Sequence, residues 1–297
     1  MKLIRVFPRK TMATPDDPLA YCGPPDLFSE ADEIHVSVTF TWDKQSAERL
    51  AREWEKIAAV RIGGVGWRTD QFPYGDPGQE FIPGKYIKHG YTITSRGCPR
   101  KCWFCSVPKR DPNLRLLPIQ DGWNILDDNL LACSRSHVEA VFAMLHRQNR
   151  RACFTGGLEA AALQDYQVGL LADLKPRPSM FWAYDPGDSY ETLQSAAQRM
   201  IAAGFTPRSH RMRCYVLVGF PHDTFSKAEQ RLTDMLHLGF TPMAMLWKPE
   251  RLAEMKFAPG PEWRAFQRRW VRPAIIHAVH PVQCKTYALP LIGGARL

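Results

Sequence analysis

"YTITSRGCPRKCWFCSVPKR", Tyr91 to Arg110, starts as a strand and runs straight into a loop that carries Cys98, Cys102 and Cys105 inside eight residues. Tyr, Thr and Ile favour the extended backbone, and Gly97 and Pro99 end it. The pattern then repeats. Further strands are predicted at "RACFTGG" (151–157), "MFWAYD" (180–185), "MRCYVLVGF" (212–220) and "TPMAMLW" (241–247). Between them lie "SHVEAVFAMLHRQ", "SYETLQSAAQRMIAAG" and "TFSKAEQRLTDMLHLG", each with helical periodicity. Strand alternating with helix implies a parallel sheet with helices on its outer face. Five strands, with a sixth expected near the C-terminus, are too few for a closed eight-stranded barrel. The fold class expected is therefore α/β, a partial, open parallel β/α barrel whose functional residues gather at the carboxyl ends of its strands.

Upstream, "IHVSVTF" (34–40) reads as a strand, "DKQSAERLAREWEKIA" as a helix and "AVRIGG" as a second strand. This is a small α/β extension. Residues 67–90 are rich in Gly, Pro and aromatics and read as a linker or wrapping loop. The division expected is an extension with linker over 1–87, a core over 88–250 and a basic helical segment over 251–297.

With 297 residues, 45% of them hydrophobic, the chain has ample material for a buried core. No apolar run of about 18 residues occurs, and the first residues lack a signal peptide's apolar segment. A cytoplasmic protein with reduced thiols, and no membrane partner, is the expectation. The net charge of +9 favours polyanionic partners. Of the eight cysteines, Cys22, Cys133, Cys153, Cys214 and Cys284 are scattered. Cys153 and Cys214 lie in apolar runs and are expected as small buried thiols.

Three clustered thiolates are soft ligands, suited to zinc or to an iron–sulfur cluster. A structural zinc site takes four protein ligands, with His137 as a candidate for the fourth. A cubane with a remote fourth cysteine is another arrangement. A four-iron cluster held by three cysteines leaves one iron open to a small chelating molecule.

"CPRKCWFC" resembles the cysteine motif of the radical S-adenosylmethionine superfamily, over roughly residues 88–250. The resemblance implies that Cys98, Cys102 and Cys105 ligate a [4Fe-4S] cluster whose open iron takes S-adenosylmethionine, with Phe104 against the adenine. It also implies an external reductant such as a flavodoxin or ferredoxin. Electron transfer then gives methionine and a 5′-deoxyadenosyl radical that abstracts hydrogen. Thr155, Gly156 and Gly157 resemble the glycine-rich segment that contacts the methionyl amine. The acidic residue usually found straight after these glycines is here Glu159, one place late.

At the other strand ends, Asp185 either bonds the ribose or begins a turn and caps the next helix. Arg213 and Tyr215 share one strand face, and Arg213 is a candidate partner for the cofactor carboxylate. Val218 and Gly219 resemble the wall that borders adenine. Tyr215, His222 and Asp223 are substrate-facing candidates, as are Asp127, Asp128 and Asn129, which also read as a turn with a helix cap.

The extension resembles a shortened form of that in cobalamin-binding or methylthiotransferase-type members. It lacks their Asp-x-His-x-x-Gly arrangement, and Cys22 alone cannot build a second cluster. Arg264, Arg268 and Arg272, spaced by four, would form one helical ridge near Trp263 and Trp270, able to follow a phosphate backbone and stack a base. The substrate expected is a nucleic acid or nucleotide. A peptide or small metabolite, with or without a protein partner, and a non-catalytic iron–sulfur sensing or nucleic-acid-binding module are the alternatives.

Overall fold

The computed structural model describes residues 1–67, 81–249 and 252–280. Cys284, and the place near the C-terminus where a sixth strand is expected, lie outside the described residues, as do 68–80 of the linker. The chain divides into two compact units, Met1–Pro178 and Ser179–Leu297.

The first unit opens with β1 (Leu3–Val6), β2 (Ala20–Tyr21), β3 (Glu33–Ser37), α1 (Lys44–Trp54) and β4 (Ala59–Gly63). The four strands form one parallel sheet in the order β2-β1-β3-β4. Only β3, α1 and β4 are predicted from periodicity. β1 and β2 are too short to show any, and both are short strands pinned by a neighbour. On α1, Ala47, Leu50, Ala51 and Trp54 are buried at helical spacing and cover Ile4, Ile34 and Val36 of the sheet. The Trp54 indole packs edge-on against Tyr21, centroids 5.0 Å apart, and donates its N–H to the Gly23 carbonyl at 2.9 Å. Arg5 donates to the carbonyls of Gly84 (3.0 Å) and Lys85 (2.7 Å) and pairs with Asp17, tying the sheet to the chain that re-enters before the cysteine loop.

The unit continues with β5 (Tyr91–Thr92), β6 (Ser95–Arg96), α2 (Val107–Arg110), β7 (Arg115–Leu116), β8 (Asn124–Ile125), α3 (Arg135–Arg147), β9 (Cys153–Leu158) and α4 (Asp165–Asp173). β5 pairs in parallel with β8, and β8 with β9. The sixth strand of the parallel sheet is therefore β8, inside "DGWNILDD". Two residues long, it has no period to read. The carboxyl ends of β1 and β3, with Tyr86, Ile93 and Arg96, line a cavity of about 200 Å³.

The second unit contains β10 (Ser179–Tyr184), α5 (Tyr190–Ala202), β11 (Met212–Val218), α6 (Phe225–His237), β12 (Thr241–Leu246), α7 (Pro261–Arg269) and α8 (Pro273–Val279). Its three strands pair in parallel, β10 with β11 and β11 with β12. Ser189 and Thr224 cap α5 and α6, each accepting a backbone N–H at 3.2 Å. The fold is α/β, and its parallel sheet is open at β5 and β12, not closed into a barrel. Among the described residues, no helix is long and apolar enough to cross a membrane.

Replacing Trp54 with Ala removes a fully buried indole and its hydrogen bond. The expected cost is about 3–5 kcal/mol, to be read from urea unfolding.

Candidate active site around the cysteine loop

The predicted strand "YTITS" is interrupted, and the interruption builds the site. After β5 the backbone N–H of Thr94 donates to a side chain, Asp127 Oδ1, at 2.6 Å. The hydroxyls of Thr94 (2.6 Å) and Ser95 (2.7 Å) donate to Asp127 Oδ2. Burial pushes this carboxyl above its usual range, against the pull of those three bonds. Asp127, expected to face substrate, is thus spent inside the protein. Its place just beyond β8 lets one carboxylate replace the ladder that β5 has lost.

Asp128 does the same for the loop. It accepts from the Gly97 backbone N–H at 2.9 Å, just before Cys98. Both its oxygens accept from Arg110 Nη2 at 2.7 Å, and Arg96 Nη1 lies 3.4 Å away. Residues 97 and 110 bracket the three cysteines, so one buried carboxylate closes the loop at both ends. Burial alone would lower the pKa of the Arg110 guanidinium, but Asp128 and Asp111 hold it above its ordinary value. Asp111 in turn accepts from Arg115 Nη2 at 2.8 Å.

Asn129 completes the stretch. It is buried, and its Nδ2 donates to Cys98 Sγ at 3.3 Å and to Glu159 Oε2 at 2.5 Å. A carboxylate only accepts, so the amide N–H side must face Glu159. Asn129 Oδ1 is buried with no hydrogen-bond partner. Glu159 Oε1 accepts from Arg100 Nη1, within the loop, at 2.9 Å. The arginines at 96, 100 and 110 and the engagement of Glu159 were not read from sequence. The signal was present, since adjacent carboxylates beside a turn need cations, but which cations is a long-range fact.

The glycines of β9 have separate reasons. A Cβ on Gly156 would lie 2.3 Å from the Asp127 carbonyl oxygen, so only glycine lets β9 pass the carboxylate turn. Gly157 has φ +105° and open space about its Cα. The Thr155 hydroxyl donates to Asn124 Oδ1 at 2.6 Å, within the sheet.

All three thiols are half-buried. Burial first, and then the neighbouring Cys102, Asp128 and Cys98, push the Cys105 thiol up, while the Val107 N–H on its sulfur at 3.4 Å acts the other way. Phe104 lies edge-on to the exposed Trp103 at 5.5 Å. His137 is buried against the Thr94 hydroxyl at 3.2 Å. Among the described residues, no three His, Cys, Asp or Glu side chains are grouped to hold a metal ion as they stand. The donor set nevertheless suits an iron–sulfur cluster in kind: three thiols on one clamped loop, N–H donors on two of the sulfurs, and an orphaned acceptor beside them.

The second unit holds the other predicted residues. Arg213, Tyr215 and Leu217 share the half-exposed face of β11, and Met212, Cys214, Val216 and Val218 the buried one. Val218 therefore faces away from Arg213 and Tyr215. Phe181 stacks on Tyr215 at 5.0 Å and lies under the Arg213 guanidinium at 5.3 Å. Asp185 Oδ1 accepts from the Leu217 N–H at 3.1 Å, and the helix cap is Ser189. Gly219 (φ +71°) has Trp263 against it, where a Cβ would come within 3.1 Å. His222 is exposed, with φ +67°. Asp223 faces inward instead of toward substrate, accepting from Arg231 at 2.8 Å and the Gly219 N–H at 2.9 Å. The arginine ridge is shorter than expected. Arg264 and Arg268 are exposed on α7, which ends at Arg269, and Arg272 precedes α8 without a side-chain capping bond. Trp270 is buried and Trp263 packs into Phe225 and Phe266, so neither is presented for base stacking. Cys214 is fully buried and Cys153 partly so.

No protein-family model matches the chain, and no curated protein does.

Asp128→Ala leaves Arg110 and Arg96 without their shared carboxylate in a buried setting. Arg110 keeps Asp111, so the expected loss is about 1–3 kcal/mol, read from urea unfolding. Alkylation of Cys98, Cys102 and Cys105, followed by mass spectrometry, should also speed up more than that of Cys22.

Proposed function

We propose that the chain is a radical S-adenosylmethionine enzyme, in which Cys98, Cys102 and Cys105 hold a four-iron cluster with one iron left for S-adenosylmethionine. Together, when bound, these groups supply one-electron cleavage of a carbon–sulfur bond and a radical able to abstract hydrogen. The observation that carries this reading is the clamped loop: Asp128 fixes its two ends, and backbone and side-chain N–H groups meet the sulfurs of Cys105 and Cys98. The thiols must close on the cluster as it assembles, since they are not grouped as ligands beforehand. A loop tied at 97 and 110 limits the entropy lost in that closure. The orphaned Asn129 Oδ1 offers an acceptor to a donor group of the bound cofactor.

For the substrate, the proposal is a nucleic acid or nucleotide. The +9 charge supports it, as do Arg264 and Arg268 on the exposed side of α7. Exposed Trp103 shares the cysteine loop with exposed Lys101 and Lys109, so the loop offers both an aromatic ring and basic groups. A cytoplasmic setting and a flavodoxin- or ferredoxin-type reductant belong to the same proposal.

Anaerobic reconstitution with iron and sulfide, then reduction with S-adenosylmethionine, should yield 5′-deoxyadenosine by chromatography. Each single change to alanine at Cys98, Cys102 or Cys105 should abolish it. A complete cluster in the wild type that yields no product would sink the enzymatic reading and favour a sensing role.

Arg264→Glu with Arg268→Glu should weaken oligonucleotide binding and flatten its salt dependence by roughly one log unit per lost phosphate contact. Unchanged fluorescence anisotropy titrations across salt would turn the substrate assignment toward a peptide or small metabolite.

A further inference from the structure

The carboxylate after the β9 glycines is already engaged on both oxygens. Glu159 Oε2 accepts from Asn129 at 2.5 Å and Oε1 from Arg100 at 2.9 Å. In the enzymes that the cysteine motif resembles, an acidic residue usually stands straight after the glycines, in the segment that contacts the cofactor's amine. Here it sits one place later, and the chain itself supplies its partners. What those partners accomplish is visible at the second N–H of the same amide nitrogen. With one N–H side fixed on Glu159, Asn129 Nδ2 also reaches the Cys98 sulfur at 3.3 Å. Three segments distant in sequence, 98–100, 129 and 159, are linked through Asn129, whose N–H reaches the Cys98 sulfur. Asn129 is buried, where a hydrogen bond is electrostatically stronger than in water.

We infer that Asn129 is a positioning residue that sets the electron affinity of the proposed cluster through its N–H on the Cys98 sulfur, with Glu159 and Arg100 holding that amide in place. The inference rests on the cluster reading. Reduction adds negative charge that thiolate ligands share, so an N–H donor on a ligand sulfur stabilises the reduced form more than the oxidised one. Removing the donor lowers the reduction potential. Removing Arg100 acts in the same direction, because it frees the Glu159 carboxylate charge close to that sulfur. Glu159 is assigned to Asn129 and Arg100 rather than to the cofactor's amine, so neutralising it should leave cofactor affinity unchanged.

The test uses the full chain, reconstituted anaerobically, as wild type, Asn129→Leu, Asn129→Ser, Arg100→Met and Glu159→Gln. Iron and sulfide content is measured first, then the midpoint potential by EPR-monitored titration, and S-adenosylmethionine affinity by equilibrium dialysis. Asn129→Leu should retain its iron and, at a fixed solution potential, have a lower reduced-to-oxidised ratio, by up to about tenfold, since only the part of the hydrogen bond's strength that differs between the two oxidation states is lost. Arg100→Met should shift the same way, and Asn129→Ser, which keeps a donor, should recover part of the change. If Asn129→Leu does not fold, the Arg100→Met and Asn129→Ser potentials decide the matter. An unchanged potential with full iron overturns the inference, as does Glu159→Gln losing cofactor affinity while its potential stays put. Failure of the wild type to assemble any cluster would be seen before any variant is read, and would remove the functional reading itself.

Discussion

The interaction on which the cysteine loop depends is the carboxylate of Asp128, shared between the Gly97 N–H and the Arg110 guanidinium. A loop with three thiols and two prolines has little of its own to hold it. Closing it from outside with a largely buried ion pair, in which Arg110 Nη2 reaches both Asp128 oxygens, fixes the two ends of the loop together. Such a pair is costly to desolvate, and its value here lies in specificity of shape more than in net stability.

Asp127, Asp128 and Asn129 divide three tasks among adjacent residues. Asp127 turns in to end β5, Asp128 closes the loop, and Asn129 meets Cys98. Adjacent side chains in extended backbone point to opposite sides, so a short irregular run beyond β8 can serve a strand end, a loop and a sulfur at once. Gly156 is the corollary on β9, where a side chain would collide with the turn that carries these groups.

In the second unit the polar residues at strand ends are largely structural. Asp185 ties β10 to β11, and Asp223 joins Arg231 beneath the turn at Gly219. Arg213 and Tyr215 are the exceptions, on a half-exposed face with Phe181 between them. The C-terminal tryptophans pack α7 and its surroundings, leaving the charge of Arg264 and Arg268 as what this helix offers a polyanion.

The α/β alternation, the open sheet, the faces of β11 and the position of the cysteines after the first core strand are legible in the amino-acid sequence. Each follows from local periodicity or from spacing along the chain. It did not determine that β8 is a strand, because two residues carry no period, nor that β1 and β2 exist, because short strands are made by their neighbours. It marked 127–129 as unusually polar and left their tasks open. Long-range packing selects which carboxylate meets Thr94, which meets Arg110, and brings Glu159 to Cys98 through Asn129. Those choices depend on groups 18 to 59 residues apart being brought within hydrogen-bond range, and hydrogen bonding is selective only at that range.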